Sequence, residues 1–501
     1  MLSFEKQQVY RAQAFNGRTW LIDRLRWGVP SQRTVAMLAT VGLLKLSGRR
    51  WPWPQVWLLA LVVIVALDPW ALLQAGFWLS FVAVGVLFAT DSGQQDEASK
   101  RLGGRVRAGL HEQWVVTLAL TPLSLLLFNQ VSLVGLPANA LAIPWVTLVV
   151  TPLSMLGILW APLWDVAAWT VWAMGLVLQG LAALPLASVS VAAAPLWAAL
   201  AGVVGGVLLA MPWPWSVRAL GVPLLLPVLL WQAPRPETGQ FSLLAADIGQ
   251  GNAVLVRTAN HSLVYDAGPR FSRESDAGHR VLVPLLRALG GRVDTLVLSH
   301  RDSDHTGGAQ AVLAMQPQAG LLSSLEDDHL LLSLRASRRC AAGQRWDWDG
   351  VQFEVLHPLA DDYSMNRKTN AMSCVLRIGN GRRTALLVGD IEQAQEARLV
   401  ASSHLQADVL LVPHHGSKTS SSAAFLDAVA PSLALVQSGY RNRFGHPAPE
   451  VLARYRERHI RLLDSPHCGA MSWSSDRPEE LQCQRELAAR YWQHRLPRSE
   501  N

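Results

Sequence analysis

Ser299-His-Arg-Asp-Ser-Asp-His-Thr-Gly-Gly308 packs four metal-ligand side chains, His300, Asp302, Asp304 and His305, into six residues directly behind an apolar run. That run, Val293 to Ser299, is short and aliphatic with β-branched members, and reads as a buried strand rather than a helix. A loop leaving a strand can turn all four side chains inward together, and Gly307-Gly308 lets backbone pass close to them before a helix begins. Two imidazoles and two carboxylates offer nitrogen and oxygen donors, which suit zinc or manganese; the residues do not choose between them. A lone His or Asp is ordinarily a solvated surface side chain. The cluster at a strand end is what points to a metal-dependent hydrolase.

Two later segments repeat the design of an apolar strand ending in a ligand, Thr384-Ala-Leu-Leu-Val-Gly-Asp390 and Ala407-Asp-Val-Leu-Leu-Val-Pro-His-His-Gly-Ser417. Asp390 can bridge two cations and either His414 or His415 can cap the second, an arrangement that polarises a phosphoryl oxygen and favours hydrolysis of an anionic ester. Gly389-Asp390 is also an ordinary strand-to-turn signal, and the His pair also fits a helix N-terminus.

Asp247-Ile-Gly-Gln-Gly-Asn252, Tyr265-Asp-Ala-Gly268, the His300 cluster, Gly389-Asp390 and His414-His-Gly-Ser417 occur in the order seen in the metallo-β-lactamase superfamily. The set most resembles the branch attached to ComEC, the competence channel protein. The resemblance implies a four-layer αββα sandwich, two divalent ions, Asp266 orienting the ligands, and the Asp247 loop shaping the site floor. Gly445-His446-Pro447 resembles the late motif of that branch, which implies that His446 contacts the substrate phosphate or protonates a leaving oxygen; a turn histidine is the plainer reading. Two departures stand out. Asp302 replaces the second His of the superfamily's His-x-His-x-Asp-His pattern, which favours harder cations. Asn370-Ala-Met-Ser373 occupies the stretch where a further His ligand is usual, leaving Asn370 and Ser373 beside the ligands and the occupancy of one metal position open. Asn252 stands where the branch more often carries Asp.

The first half of the chain is different material. Apolar segments near 35–46, 56–67, 70–90, 114–128, 134–160, 164–187, 190–211 and 217–232 are candidate membrane spans, the first two short of the ~20 residues a bilayer core requires. Tryptophans such as Trp51, Trp53, Trp70, Trp160, Trp164, Trp213 and Trp215 lie near their ends, where amphipathic rings prefer the headgroup level. Arg49-Arg50, then Lys100, Arg101, Arg105 and Arg107, then Arg218 fall in alternate connections, which predicts those connections as cytoplasmic and everything after about Pro234 as extracytoplasmic. Arg24, Arg26 and Arg33 run against this scheme. The stretch from Asp68 to Val84, Gly28-Val-Pro-Ser-Gln-Arg-Thr34 and Leu136-Pro-Ala-Asn-Ala-Leu-Ala-Ile-Pro144 resemble the competence domain of ComEC. Prolines at membrane depth suit a protein interior or a water-filled path, so Asn139 and Pro144 are candidate channel residues; a Pro-kinked packing helix is the alternative. Full-length family members carry further N-terminal spans and a small β-domain, so the resemblance implies a truncated chain.

The sequence therefore predicts a polytopic α-helical membrane domain followed by a metallo-β-lactamase-like sandwich. Its divisions are an atypical segment at 1–27, membrane domain at 28–232, linker at 233–239, sandwich at 240–480 and a polar helical tail at 481–501. The formal charge of +7 permits contact with polyanions, and Ser417, Lys418, Arg441 and Arg443 are placed to hold phosphates; for the basic residues ordinary surface charge is the alternative. The resemblance implies a bacterial inner-membrane protein that takes up DNA with other competence proteins, one strand being cut while the other passes the membrane. Two other classes stay open, a translocon whose sandwich only guides DNA and a membrane phosphodiesterase for smaller esters. Cys340, Cys374, Cys468 and Cys483 lack Cys-x-x-Cys spacing, which argues against a cysteine metal site; their disulfide pairing is open.

Overall fold

The computed structural model describes residues 29–48, 51–90, 102–184, 186–365, 367–493 and 496. The chain divides into two compact units, Met1–Trp231 and Gln232–Asn501. The segment before residue 29, with Arg24 and Arg26, and the basic residues Arg49, Arg50, Lys100 and Arg101 lie outside the described residues.

The first unit is helical. Arg107–Phe128, Gly135–Leu156 and Pro162–Ala182 are long and apolar enough to cross a membrane, while Thr34–Leu46, Trp53–Leu67, Ala75–Thr90, Leu196–Ala210 and Trp215–Leu229 are apolar but shorter. Each expected segment falls on one of these eight, with two trimmed at the start. Pro69–Leu73 winds as a 3-10 turn, so regular helix begins only at Ala75. Ser188–Ser190 pairs antiparallel with Gln130–Ser132, so the next helix waits until Leu196, behind Pro195. Pro144 sits inside the helix Gly135–Trp145, and the chain continues through a wide π turn at Val146–Val150 into Thr151–Leu156. Pro152, at the start of that last helix, has no N–H to give the preceding turn, and the widened pitch there absorbs the loss. Asn139 and Pro144 are both exposed on this helix. Leu196–Ala210 packs closely on Gly221–Leu229, because a Cβ at Gly205 would strike the Gly221 carbonyl and one at Gly221 the Gly205 carbonyl. Small residues that let backbones touch are how helices associate in an apolar solvent.

The second unit is a four-layer αββα sandwich. One sheet holds β1 (Ser242–Ala245), β2 (Val254–Arg257), β3 (Ser262–Tyr265), β4 (Thr295–Leu298), β5 (Gly320–Ser323) and β6 (Ser337–Arg339). The other holds β7 (Arg345–Trp348), β8 (Val351–His357), β9 (Val375–Gly379), β10 (Thr384–Leu387), β11 (Val409–Leu411), β12 (Leu433–Val436) and β13 (Arg461–Asp464). β14 (Met471–Ser474) and β15 (Gln482–Cys483) return to the first sheet, giving the orders β6-β5-β4-β3-β2-β1-β14-β15 and β7-β8-β9-β10-β11-β12-β13.

Alternation along each strand divides the apolar residues between layers. In β4, Val297 faces the second sheet with Tyr265, Phe353, Leu376 and Leu411. Its neighbours Leu296 and Leu298 face the helical layer with Leu286 and Val312. β3, β4 and β5 run parallel, as do β10, β11, β12 and β13, so several C-terminal strand ends of each sheet emerge side by side. The four cysteines form two pairs, Cys340 with Cys374 and Cys468 with Cys483. The tail is not one polar helix: Gln482–Cys483 joins the sheet edge beside β14, and the helix that follows covers only Gln484–Leu487. The Cys468 link and the β14 ladder draw this segment into the sheet.

Leu376, fully buried between the sheets, measures how far the second unit depends on that layer. Leu376→Ala should destabilise it by about 2–5 kcal/mol, seen as a lower melting temperature in near-UV circular dichroism.

Candidate metal centre

Most side chains at this site leave from the end of a strand. β3 delivers Asp266, β4 delivers Ser299 and His300, β10 leads through Gly389 to Asp390, β11 leads to His414 and His415, and β12 runs into Gln437. After β4 the chain makes a short helix, Ser303–Thr306, that carries Asp304 and His305. Gly308 then allows a close crossing, where a Cβ would strike the Gly278 backbone and the Ala267 carbonyl.

The ligand-type atoms of His300, His305 and Asp390 lie within 4.8 Å of one another, and so do those of Asp304, His305 and His415. Asp390 Oδ1 is 3.2 Å from His305 Nε2, and its Oδ2 is 3.5 Å from His415 Nε2 and 3.7 Å from His414 Nε2. Asp304 Oδ2 stands 3.4 Å from His415 Nε2. Asp302, more exposed, reaches 3.6 Å from His300 Nε2.

The outward hydrogen bonds set how the rings face inward. Asp266, fully buried and in the left-handed region at φ 59°, accepts from the Ser299 amide (2.7 Å), the Ser299 hydroxyl (2.8 Å) and His305 Nδ1 (2.8 Å). With its proton given to Asp266, Ser299 Oγ accepts from His300 Nδ1 at 3.0 Å. His415 Nδ1 donates to the Gln437 carbonyl at 2.9 Å. A ring that donates through Nδ1 presents a lone pair at Nε2 when neutral. His300 Nε2, His305 Nε2, His415 Nε2 and Asp390 Oδ1 are all buried without a hydrogen-bond partner. Buried polar atoms do not ordinarily stay unpaired, and this set of nitrogen and carboxylate donors fits a divalent cation.

The electrostatics agree. Burial opposes charge on both His305 and Asp390, yet the Asp390 and Asp266 carboxylates raise the imidazole well above its ordinary range, and His305 and His415 hold Asp390 well below its own. Burial likewise opposes the Asp304 charge, but the imidazoles of His415 and His305 beside it hold its pKa down at about 2. The field that keeps a proton on His305 is one that attracts a cation in its place.

His414 and His415 occupy consecutive left-handed conformations, φ 48° and 54°. The reversal buries His415 and leaves His414 half exposed, with Nε2 3.4 Å from Asn370 Nδ2 and Nδ1 3.7 Å from Glu392. Ser373 Oγ accepts from the Asp390 amide at 3.0 Å and lies 3.4 Å from His300 Nδ1. The His446 ring lies 5.7 Å from that of His414 and 6.5 Å from that of His415. Burial, with His414 and His415 nearby, lowers its pKa to about 4, so at neutral pH it offers a hydrogen bond rather than an acidic proton.

Other expected residues go elsewhere. The Asp247 carboxylate pairs with Arg485 at 2.7 Å rather than with the cluster, because that helix follows β15. Its loop meets the site through backbone, the Asn252 amide donating to the Asp304 carbonyl at 3.3 Å. Ser417 Oγ bonds Thr419 at 3.2 Å, Lys418 is 3.8 Å from Glu450, and Arg441 and Arg443 lie over the rings of Tyr440 and Phe444.

The sequence alone does not mark several contributors. Ser299 lies within the Ser299 to Gly308 run with nothing local to set its hydroxyl apart. Gln437 accepts from the Ala253 amide at 3.1 Å and donates to the Ala246 carbonyl at 2.7 Å, tying the end of β12 to the other sheet. A cavity of about 310 Å³ beside Asn370 and Glu392 is lined by Arg301, Arg367 and Lys368; the adjacent basic pair was its one sequence signal.

Residues 25–216 match the family model for competence protein, and residues 246–439 match that for the metallo-β-lactamase superfamily. The chain is 35% identical to competence protein ComA of Neisseria gonorrhoeae over 93% of its own length and 65% of that protein's. It is 31% identical to the uncharacterized protein YcaI of Escherichia coli over 88% of its own length and 58% of that protein's. It thus spans less than two thirds of either relative. Among solved structures, a HARLDQ-motif mutant of a metallo-β-lactamase from Cronobacter sakazakii aligns with 40% of this chain and 93% of its own, at 15% identity and a TM-score of 0.27.

Asp266→Asn should weaken divalent-metal affinity by about 10–100-fold, because a ligand loses the group that orients it. Asp247→Asn should leave it unchanged. Competition against a chromogenic chelator reads both.

Proposed function

This chain joins a competence-protein domain to a metallo-β-lactamase superfamily domain, and from that pairing we propose that it is a multi-pass inner-membrane component of DNA uptake. In this reading the second unit lies outside the cytoplasm and hydrolyses phosphodiester bonds in one strand of incoming DNA. The observation that carries the reading is the convergence of three buried, unpartnered Nε2 atoms with Asp304 and Asp390 at the strand ends. The pairing of all four cysteines supports an oxidising compartment for this unit.

Asp304, His305 and His415 would hold one cation, His300 and Asp302 would face a second, and Asp390 would be shared between them. Two divalent ions, zinc or manganese, would supply Lewis-acid polarisation of the phosphoryl oxygen and a water of lowered pKa. The chain's own residues do the rest. Asp266, Ser299 and the Gln437 carbonyl fix the three rings before substrate arrives, so no reorganisation is needed during reaction. His414, braced by Glu392 and Asn370, and the neutral His446 border the cluster and can donate hydrogen bonds to non-bridging oxygens. The cavity at Arg301, Arg367 and Lys368 offers cationic groups for an adjoining phosphate.

The purified full-length chain with manganese or zinc should degrade one strand of an end-labelled duplex. The His300→Ala/Asp304→Ala double variant should fall to the level of a chelator-treated sample. Equal nicking by wild type and double variant, with DNA binding retained, would instead favour a guiding role; preference for a small diester over DNA would favour a general phosphodiesterase.

A further inference from the structure

The loop between β12 and Pro447 carries a feature that the hydrolytic reading does not require. Phe444 and Tyr440 are large apolar rings left 53% and 52% exposed on a loop that borders the metal centre. The Phe444 ring stacks on His446 with centroids 5.6 Å apart and planes at 23°, and His446 in turn neighbours His414 and His415. The loop is internally braced. Asn442 Nδ2 donates to the Gly439 carbonyl at 2.9 Å and to the His446 carbonyl, and its Oδ1 accepts from the Phe444 amide at 3.2 Å and the His446 amide at 3.0 Å. The rings are therefore held outward by a fixed backbone.

A guanidinium rests on each ring, Arg441 Cζ 5.2 Å from the Tyr440 centroid and Arg443 Cζ 4.8 Å from that of Phe444. Neither arginine has a carboxylate partner among the described residues. Exposed aromatics interleaved with unpaired arginines suit a ligand that offers flat π-faces and regularly spaced anionic groups. A nucleobase can take the guanidinium's place on the ring, which frees the arginine for the adjoining phosphate.

We propose that Phe444, with Tyr440, is a base-stacking platform that makes this site selective for unpaired nucleotides of a polynucleotide strand. The proposal rests on the phosphodiesterase reading above and deepens it, since bases inside a duplex already stack on each other and cannot use the rings. The two rings are specificity determinants and leave the metal ligands untouched.

The test uses the full-length chain in the uncut His300→Ala/Asp304→Ala background. Fluorescence anisotropy compares a labelled thymidine dodecamer with an otherwise identical abasic strand. Phe444→Ala should raise Kd for the thymidine strand by about 5–100-fold, as stacking losses do, and leave the abasic Kd within about twofold. Phe444→Trp should retain the wild-type preference, and Tyr440→Ala should act in the same direction as Phe444→Ala. An equal loss on both strands, or no loss on thymidine, overturns the platform while strand cutting by the wild type keeps the enzyme reading intact. Failure of the double variant to bind either strand, together with failure of the wild type to cut duplex, overturns the two together.

Discussion

One buried carboxylate organises the second unit's chemistry. Asp266 has no solvent exposure and accepts three hydrogen bonds, two from Ser299 and one from His305. A charge in that position is tolerated only when its acceptor sites are filled. Here the groups that fill them are the first residue of the His300 loop and an imidazole of the cluster. The same bonds that satisfy Asp266 aim His305 and, through the Ser299 hydroxyl, His300. Removing any member leaves a buried polar group without a partner as well as a ring without a direction.

The sheets make this convergence possible. Parallel strands send successive C-terminal ends to one edge, so residues far apart in sequence, from Asp266 to Gln437, arrive side by side without long loops. The accumulated charge is the consequence. Asp304 and Asp390 stay ionised against the cost of burial because imidazoles surround them. The orphaned Nε2 atoms show that hydrogen bonding within the protein does not exhaust the donors.

Legibility from sequence followed how local each feature is. The His300 run could be read because a strand pattern, a ligand cluster and two glycines are consecutive, and β4 does end at Leu298. The helical first half is likewise readable from its long apolar segments, whereas the two-sheet sandwich follows from the family resemblance. The inward choice between His414 and His415 was not, because it depends on two successive left-handed residues that neither imidazole advertises. The direction of Asp247 depends on Arg485, more than two hundred residues away, and the cysteine pairing depends on how β9 and β15 lie against their neighbours. The basic cavity gathers Arg301 with Arg367 and Lys368 from separate loops, a proximity only the fold creates.

The helical unit reverses the usual relation between hydropathy and burial. Leu148, Leu159 and Trp169 are 73%, 84% and 74% exposed, while Gly202, Gly205, Gly206, Ala198 and Ala199 occupy the inside of their helix. Water would penalise so much exposed apolar surface and favour larger side chains within. A hydrocarbon solvent removes that penalty and leaves close backbone contact and satisfied hydrogen bonds as the remaining sources of cohesion. Tryptophans near the helix ends fit the same solvent, with Trp164 Nε1 donating to the Ser154 carbonyl at 3.0 Å and Trp78 Nε1 to the Leu72 carbonyl at 2.8 Å. The π turn ahead of Pro152 follows the same logic: the prolyl residue withholds a donor, and the backbone keeps its remaining bonds by widening one turn rather than by breaking the helix.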